Sequence, residues 1–110
     1  MKNHYQNETL HLVFDGDVLS TSADALREEF NAIFDASGAR AAACRCIELD
    51  LTKAKMMDSA GLNFVMTILK QAKSRDARVV AKIASKTVHR IFLFTRLDKH
   101  LELVMAEPAS

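Results

Sequence analysis

At 110 residues the chain has the length of one domain, whose folding removes roughly two thirds of the unfolded surface from water. Apolar residues are 49% and charged residues 26%, a globular balance that excludes a disordered chain. Fifteen Lys and Arg against fourteen Asp and Glu leave a net charge of +1, which argues against nucleic-acid binding through bulk charge. No apolar run reaches the ~18 residues of a membrane span. The polar start, Met1 to Thr9, is unlike a secretory signal, so the expected compartment is the cytoplasm.

In chain order, a weak strand is expected around His4–Gln6, and a firmer one over Leu10–Phe14, stopped by Asp15-Gly16-Asp17. Ser20, Thr21 and Ser22 offer caps for a helix with apolar positions Ala23, Leu26, Phe30, Ile33 and Phe34, ending at Ser37-Gly38. Cys44 and Cys46 form a C-x-C pair, but a metal site needs more ligands, and His4, His11, His89 and His100 lack helical zinc spacing. Two buried or half-buried thiols, and no metal or cofactor, are expected. A strand over Ile47–Leu51, entered through Cys46, is followed by a helix from Ala60 to about Ser74. Its apolar stripe is read as Leu62, Val65, Met66, Leu69 and Ala72, which puts Phe64 and Ile68 away from the sheet. They either pack on a helix around Ile91–Phe94 or form an exposed patch for a partner. A strand over Val79–Ile83, a short helix capped by Ser85, and a strand over Leu101–Met105 complete the chain.

Alternating strands and helices predict an α/β fold over residues 1–110: one domain with a mostly parallel four- to five-stranded sheet. The few helices are expected to pack mainly on one side of it. There is no Gly-rich phosphate loop and no local Cys–His or Ser–His pairing, so an enzyme is not expected.

Ile47-Glu48-Leu49-Asp50-Leu51-Thr52 followed by Asp58-Ser59-Ala60-Gly61-Leu62 resembles the STAS family, in particular the bacterial anti-sigma-factor antagonists. Phe14-Asp15-Gly16-Asp17-Val18, Ser85–Phe92 and Thr95-Arg96-Leu97-Asp98 are similar to further segments of that family, in the same order. Four residues depart from its pattern: Asp17 for Glu, Leu19 for an acid, Asn63 for a small residue, and Arg96 for Gly. The family's C-terminal helix is expected to be short or missing.

The resemblance implies a STAS-like fold and a protein-binding module controlled by phosphorylation of Ser59. Unphosphorylated, it would bind an ATPase-type serine kinase that acts as an anti-sigma factor; a serine phosphatase would restore the hydroxyl. A monomer or weak dimer is implied. The other reading is a soluble subunit of a lipid-transporting ABC-type ATPase. The residues assigned to partner binding are Asp17, Asp58, Ser59, Ala60, Gly61, Asn63 and Phe64. From position alone, Ser59 either caps its helix or displays a modifiable hydroxyl. Asp58 either orients that hydroxyl or favours the helix dipole. Gly61 either admits a partner's backbone or relieves crowding in the first turn. Thr52 and Asp17 are read as turn residues before functional ones. Basic residues around the long helix, Lys53, Lys55, Lys70, Lys73, Arg75 and Arg78, are read as a solvated face before an acidic-partner surface.

Overall fold

The computed structural model describes residues 2–37 and 43–106. Five strands form one sheet in the order β1 (Lys2–Gln6), β2 (Thr9–Val13), β3 (Cys46–Leu51), β4 (Arg78–Ile83), β5 (Glu102–Met105). β1 and β2 are antiparallel, and every later pairing is parallel. Among the described residues the helices are α1 (Ser20–Ser37), α2 (Ser59–Ser74) and α3 (Lys86–Phe94), with a short 3-10 turn at Leu97–Lys99. The mostly parallel α/β architecture therefore stands, with the weak first strand confirmed. Gly38 as the stop of α1 and the side chain of Phe34 lie outside the described residues, as does everything after Ala106.

Strand alternation sorts the two faces of the sheet. Leu10, Leu12, Ile47, Leu49, Leu51, Val79, Ala81 and Ile83 are buried on the face that meets the helices. The alternating positions Thr9, His11, Val13, Glu48, Asp50, Val80 and Lys82 are only half-buried, and no described helix covers them. On that open face Glu48 accepts from Lys82 at 2.8 Å and lies 3.5 Å from His11, whose ring stacks on His4. The Glu48 carboxylate raises the Lys82 pKa above its ordinary value. Both cysteines are buried; the Cys44 thiol donates to the Cys46 carbonyl at 3.2 Å, and desolvation raises the Cys46 pKa.

The stripe expected for α2 needs correction. Phe64 and Ile68 are fully buried, together with Gly61, Val65 and Ala72, whereas Met66 is 39% exposed. The Phe64 ring meets Phe14 and Phe30 edge-on, with centroids 6.0 and 6.3 Å away, and so links the end of β2 to α1 and α2. It therefore neither packs on the Ile91–Phe94 helix as its main partner nor lies in an exposed patch. A helix with Leu62, Phe64, Val65, Met66, Ile68, Leu69 and Ala72 has two overlapping apolar stripes, and the one holding the large ring turns to the core.

A candidate phospho-acceptor turn at the start of helix α2

The site is built where the β2–α1 loop meets the β3–α2 loop, at the carboxyl ends of the central strands. An isolated parallel bridge pairs Val18 with Met57. One oxygen of Asp17 accepts from Lys55 N–H at 2.7 Å and from Met56 N–H at 3.1 Å. From the other side, the Ser85 hydroxyl donates to the Lys55 carbonyl at 3.3 Å and accepts from Val88 N–H at 3.3 Å as the cap of α3. Thr52 N–H and its hydroxyl both donate to Asp50 Oδ1, at 3.1 and 2.6 Å, so Thr52 is used as a turn residue. The loop before α2 is thus clamped by side chains from three segments.

The residue that caps α2 is Asp58. Its Oδ1 accepts from Gly61 N–H at 2.9 Å, and its Oδ2 accepts from Ser20 N–H at 2.8 Å, which ties the starts of α1 and α2 together. These bonds, from Gly61 first and Ser20 second, lower the Asp58 pKa, so the carboxylate is ionised and weakly basic at neutral pH. A proton-accepting role toward Ser59 would compete with both bonds. Ser59 itself is the first residue of α2 and is exposed. Of the two readings of Ser59, the capping one is therefore excluded by its neighbour, and Ser59 is left as an exposed residue of the first turn.

The other site residues divide in the same way. Asn63 is exposed one turn along from Ser59, and Ala60 is half-buried against the core. Gly61 is buried: an added Cβ would collide with the Val18 carbonyl oxygen and stand 2.8 Å from Met57 Cγ. The close approach that needs glycine is thus to this chain's own loop, and as a partner contact Gly61 is corrected. Phe64 is corrected too, since its ring is sealed in the core. An apolar side chain that does reach the surface close to Ser59 in the chain is Met56, 50% exposed and three residues before it. Sequence reasoning passed over it, and the signal was there: one of two adjacent methionines in an extended loop must point away from the core. Among the described residues no cluster of His, Cys, Asp or Glu is suited to a metal ion, and no helix is long and apolar enough to cross a membrane.

The chain is matched by a family model described as "Mlab, STAS domain" over residues 3–105. The chain belongs to the STAS domain family. Similar solved folds include TM1081 of Thermotoga maritima, at 17% identity and TM-score 0.79, covering 96% of this chain and 85% of that one. An anti-sigma factor antagonist from Mycobacterium paratuberculosis matches at 17% identity and TM-score 0.76, covering 93% and 81%. The Bacillus cell fate determinant SpoIIAA, in the phosphorylated form, matches at 17% identity and TM-score 0.69, covering 96% and 89%. These similarities carry the fold. Within this STAS domain, Asp58 and Gly61 build the turn and Ser59 is the member of the motif left on display.

Proposed function

We propose that this STAS domain is a phosphorylation-switched binding module, an anti-sigma-factor antagonist that engages an ATPase-type serine kinase when Ser59 carries a free hydroxyl. The observation that carries this reading is an exposed serine at the first position of α2, on a turn held by Asp17, Asp58 and Ser85. That SpoIIAA, a similar fold, has been solved in a phosphorylated form supports it. In this reading the module is not itself an enzyme; the kinase adds the phosphate and a serine phosphatase removes it. Exposed Met56, Ser59 and Asn63 form the contact face, with Asp17 at its edge.

Phosphorylation adds about −1.5 to −2 charges. The N-terminal end of α2 tolerates them because the helix dipole favours an anion there. A docked partner does not, since an uncompensated buried charge costs roughly 3–5 kcal/mol. About 4 kcal/mol is roughly a thousandfold in affinity. The switch then needs no rearrangement of the module, whose turn is already fixed.

The test is affinity purification from native cells, with mass spectrometry of the captured proteins and of the Ser59 peptide. Capture of a serine kinase with an ATP-binding fold, lost on phosphorylation or in Ser59→Glu and kept in Ser59→Ala, is the expected result. Capture of an ABC-type ATPase with Ser59 unmodified would instead favour the transport-subunit reading. Equal affinity of the kinase for both variants would overturn the switch.

A further inference from the structure

The C-terminal half of α2 lines a cavity that the Ser59 reading does not use. Its volume is about 510 Å³, and it lies between α2, the start of β4 and the turn at Lys99–His100. That volume falls within the roughly 300–1,000 Å³ of small-molecule sites. Its inner wall is apolar: Ala72 and Val79 are core residues, and Leu69 is half-buried beside them. Met66, whose thioether side chain adapts readily to shape, stands at the mouth and is 39% exposed.

The rim has the opposite character. Lys70, Lys73 and Lys99 are exposed around it, against the single carboxylate of Asp76. Among the described residues no ion pair engages any of these three lysines. The opening therefore carries excess positive charge above an apolar wall. A simple inorganic anion would leave that wall in contact with water, and a cationic amphiphile would meet like charge at the rim. A molecule with one anionic head and one alkyl tail complements both parts.

We propose that this cavity binds a single-chain anionic amphiphile, a carboxylate or phosphate monoester whose tail lies on Leu69, Ala72 and Val79 and whose head meets Lys70, Lys73 and Lys99. Ser59 lies eleven residues before Lys70, roughly 16 Å along the helix, so the site is separate from the switch and stands or falls without it.

The experiment is an NMR titration of the full chain, following methyl and amide signals, with dodecanoate and dodecyl phosphate in separate arms below their micelle concentrations. Inorganic phosphate and dodecyltrimethylammonium serve as head-only and wrong-charge controls. The expected result is saturable one-to-one binding of at least one anionic probe, with shifts at Met66, Leu69, Ala72 and Ala77 and none at Ser59. The tighter of the two probes identifies the head group. Lys70→Gln/Lys73→Gln/Lys99→Gln, checked by its melting temperature, should bind at least tenfold more weakly, and both controls should fail to saturate the site. The proposal is overturned by shifts scattered over the surface, by equal affinity for the cationic amphiphile, by unchanged affinity of the triple variant, or by no shift with either anionic probe.

Discussion

Along helix α2, Gly61, Phe64, Val65, Ile68 and Ala72 are buried, while Ser59, Asn63, Met66, Lys70 and Lys73 face outward. The two strips run side by side for the whole helix, yet they answer to different constraints. The inner strip meets Phe14, Phe30 and the Val18 backbone, so its residues are set by shape. The outer strip touches little of its own chain, so its residues are free to be set by what binds there. The Asp-Ser-x-Gly motif crosses both strips: Asp58 and Gly61 belong to the architecture, and Ser59 to the surface. A motif that looks like one functional unit is thus two structural residues supporting one exposed serine.

The strongest way to break this division is through the inner strip. Phe64→Ala should cost about 3–5 kcal/mol, read from denaturant unfolding, because it empties the junction of three aromatic rings. A loss below 1 kcal/mol would mean that Phe64 is not the core residue described. Gly61→Ala comes next, at about 1–3 kcal/mol, since the added methyl must push back the Val18 carbonyl and Met57. If it also weakens partner binding, the comparison to make is with the Asp17 loop, which the same shift would displace.

How this division was read from the sequence depended on what kind of signal each residue carries. Strand alternation from Leu10 to Phe14 and from Ile47 to Leu51 is a period-two pattern, and its apolar set, Leu10, Leu12, Phe14, Ile47, Leu49 and Leu51, is the buried one. The α2 stripe is ambiguous in the sequence because apolar residues make up half of that helix, and Leu62 and Leu69 anchor a helical wheel as well as Phe64 and Ile68 do. Only the tertiary fact that Phe14 and Phe30 converge there decides it. The cap stays open in the sequence for a similar reason. Asp58 and Ser59 both suit an N-cap, and the long-range bond from Ser20 N–H, which favours Asp58, is invisible to local pattern.

Asp58 sharpens the comparison through pH. Its pKa is lowered in the folded protein, so the unfolded state takes up protons first as the pH drops. The stability it lends is therefore fully present above the ordinary carboxylate pKa of about 4 and is lost as the pH falls through its lower folded value. Asp58→Asn, which keeps a capping side chain but no charge, should melt below the parent protein at pH 6. The gap should narrow below roughly pH 4. A gap that is constant with pH would mean that the Gly61 and Ser20 bonds do not depend on the charge.

Arg96 tests the family departure at the last turn. It stands at φ 60, in the left-handed region that glycine enters at little cost, just ahead of the 3-10 turn. Arg96→Gly should stabilise the protein by about 0.5–1 kcal/mol, and a destabilisation would mean that the arginine side chain makes a contact worth more than its backbone strain.

The smallest expected effect is the most informative for function. Ser59→Ala removes an exposed hydroxyl from a turn whose cap is supplied by Asp58, so unfolding should change by less than about 0.5 kcal/mol. Ser59→Glu places a charge where the helix dipole favours it and the neighbouring Asp58 carboxylate opposes it, so it too should stay within about 0.5 kcal/mol. With both variants equally folded, any difference between them in partner affinity comes from the charge at the surface. If instead Ser59→Ala destabilised as a lost cap does, by about 1 kcal/mol, the serine would belong to the inner architecture and the division of the motif would fail.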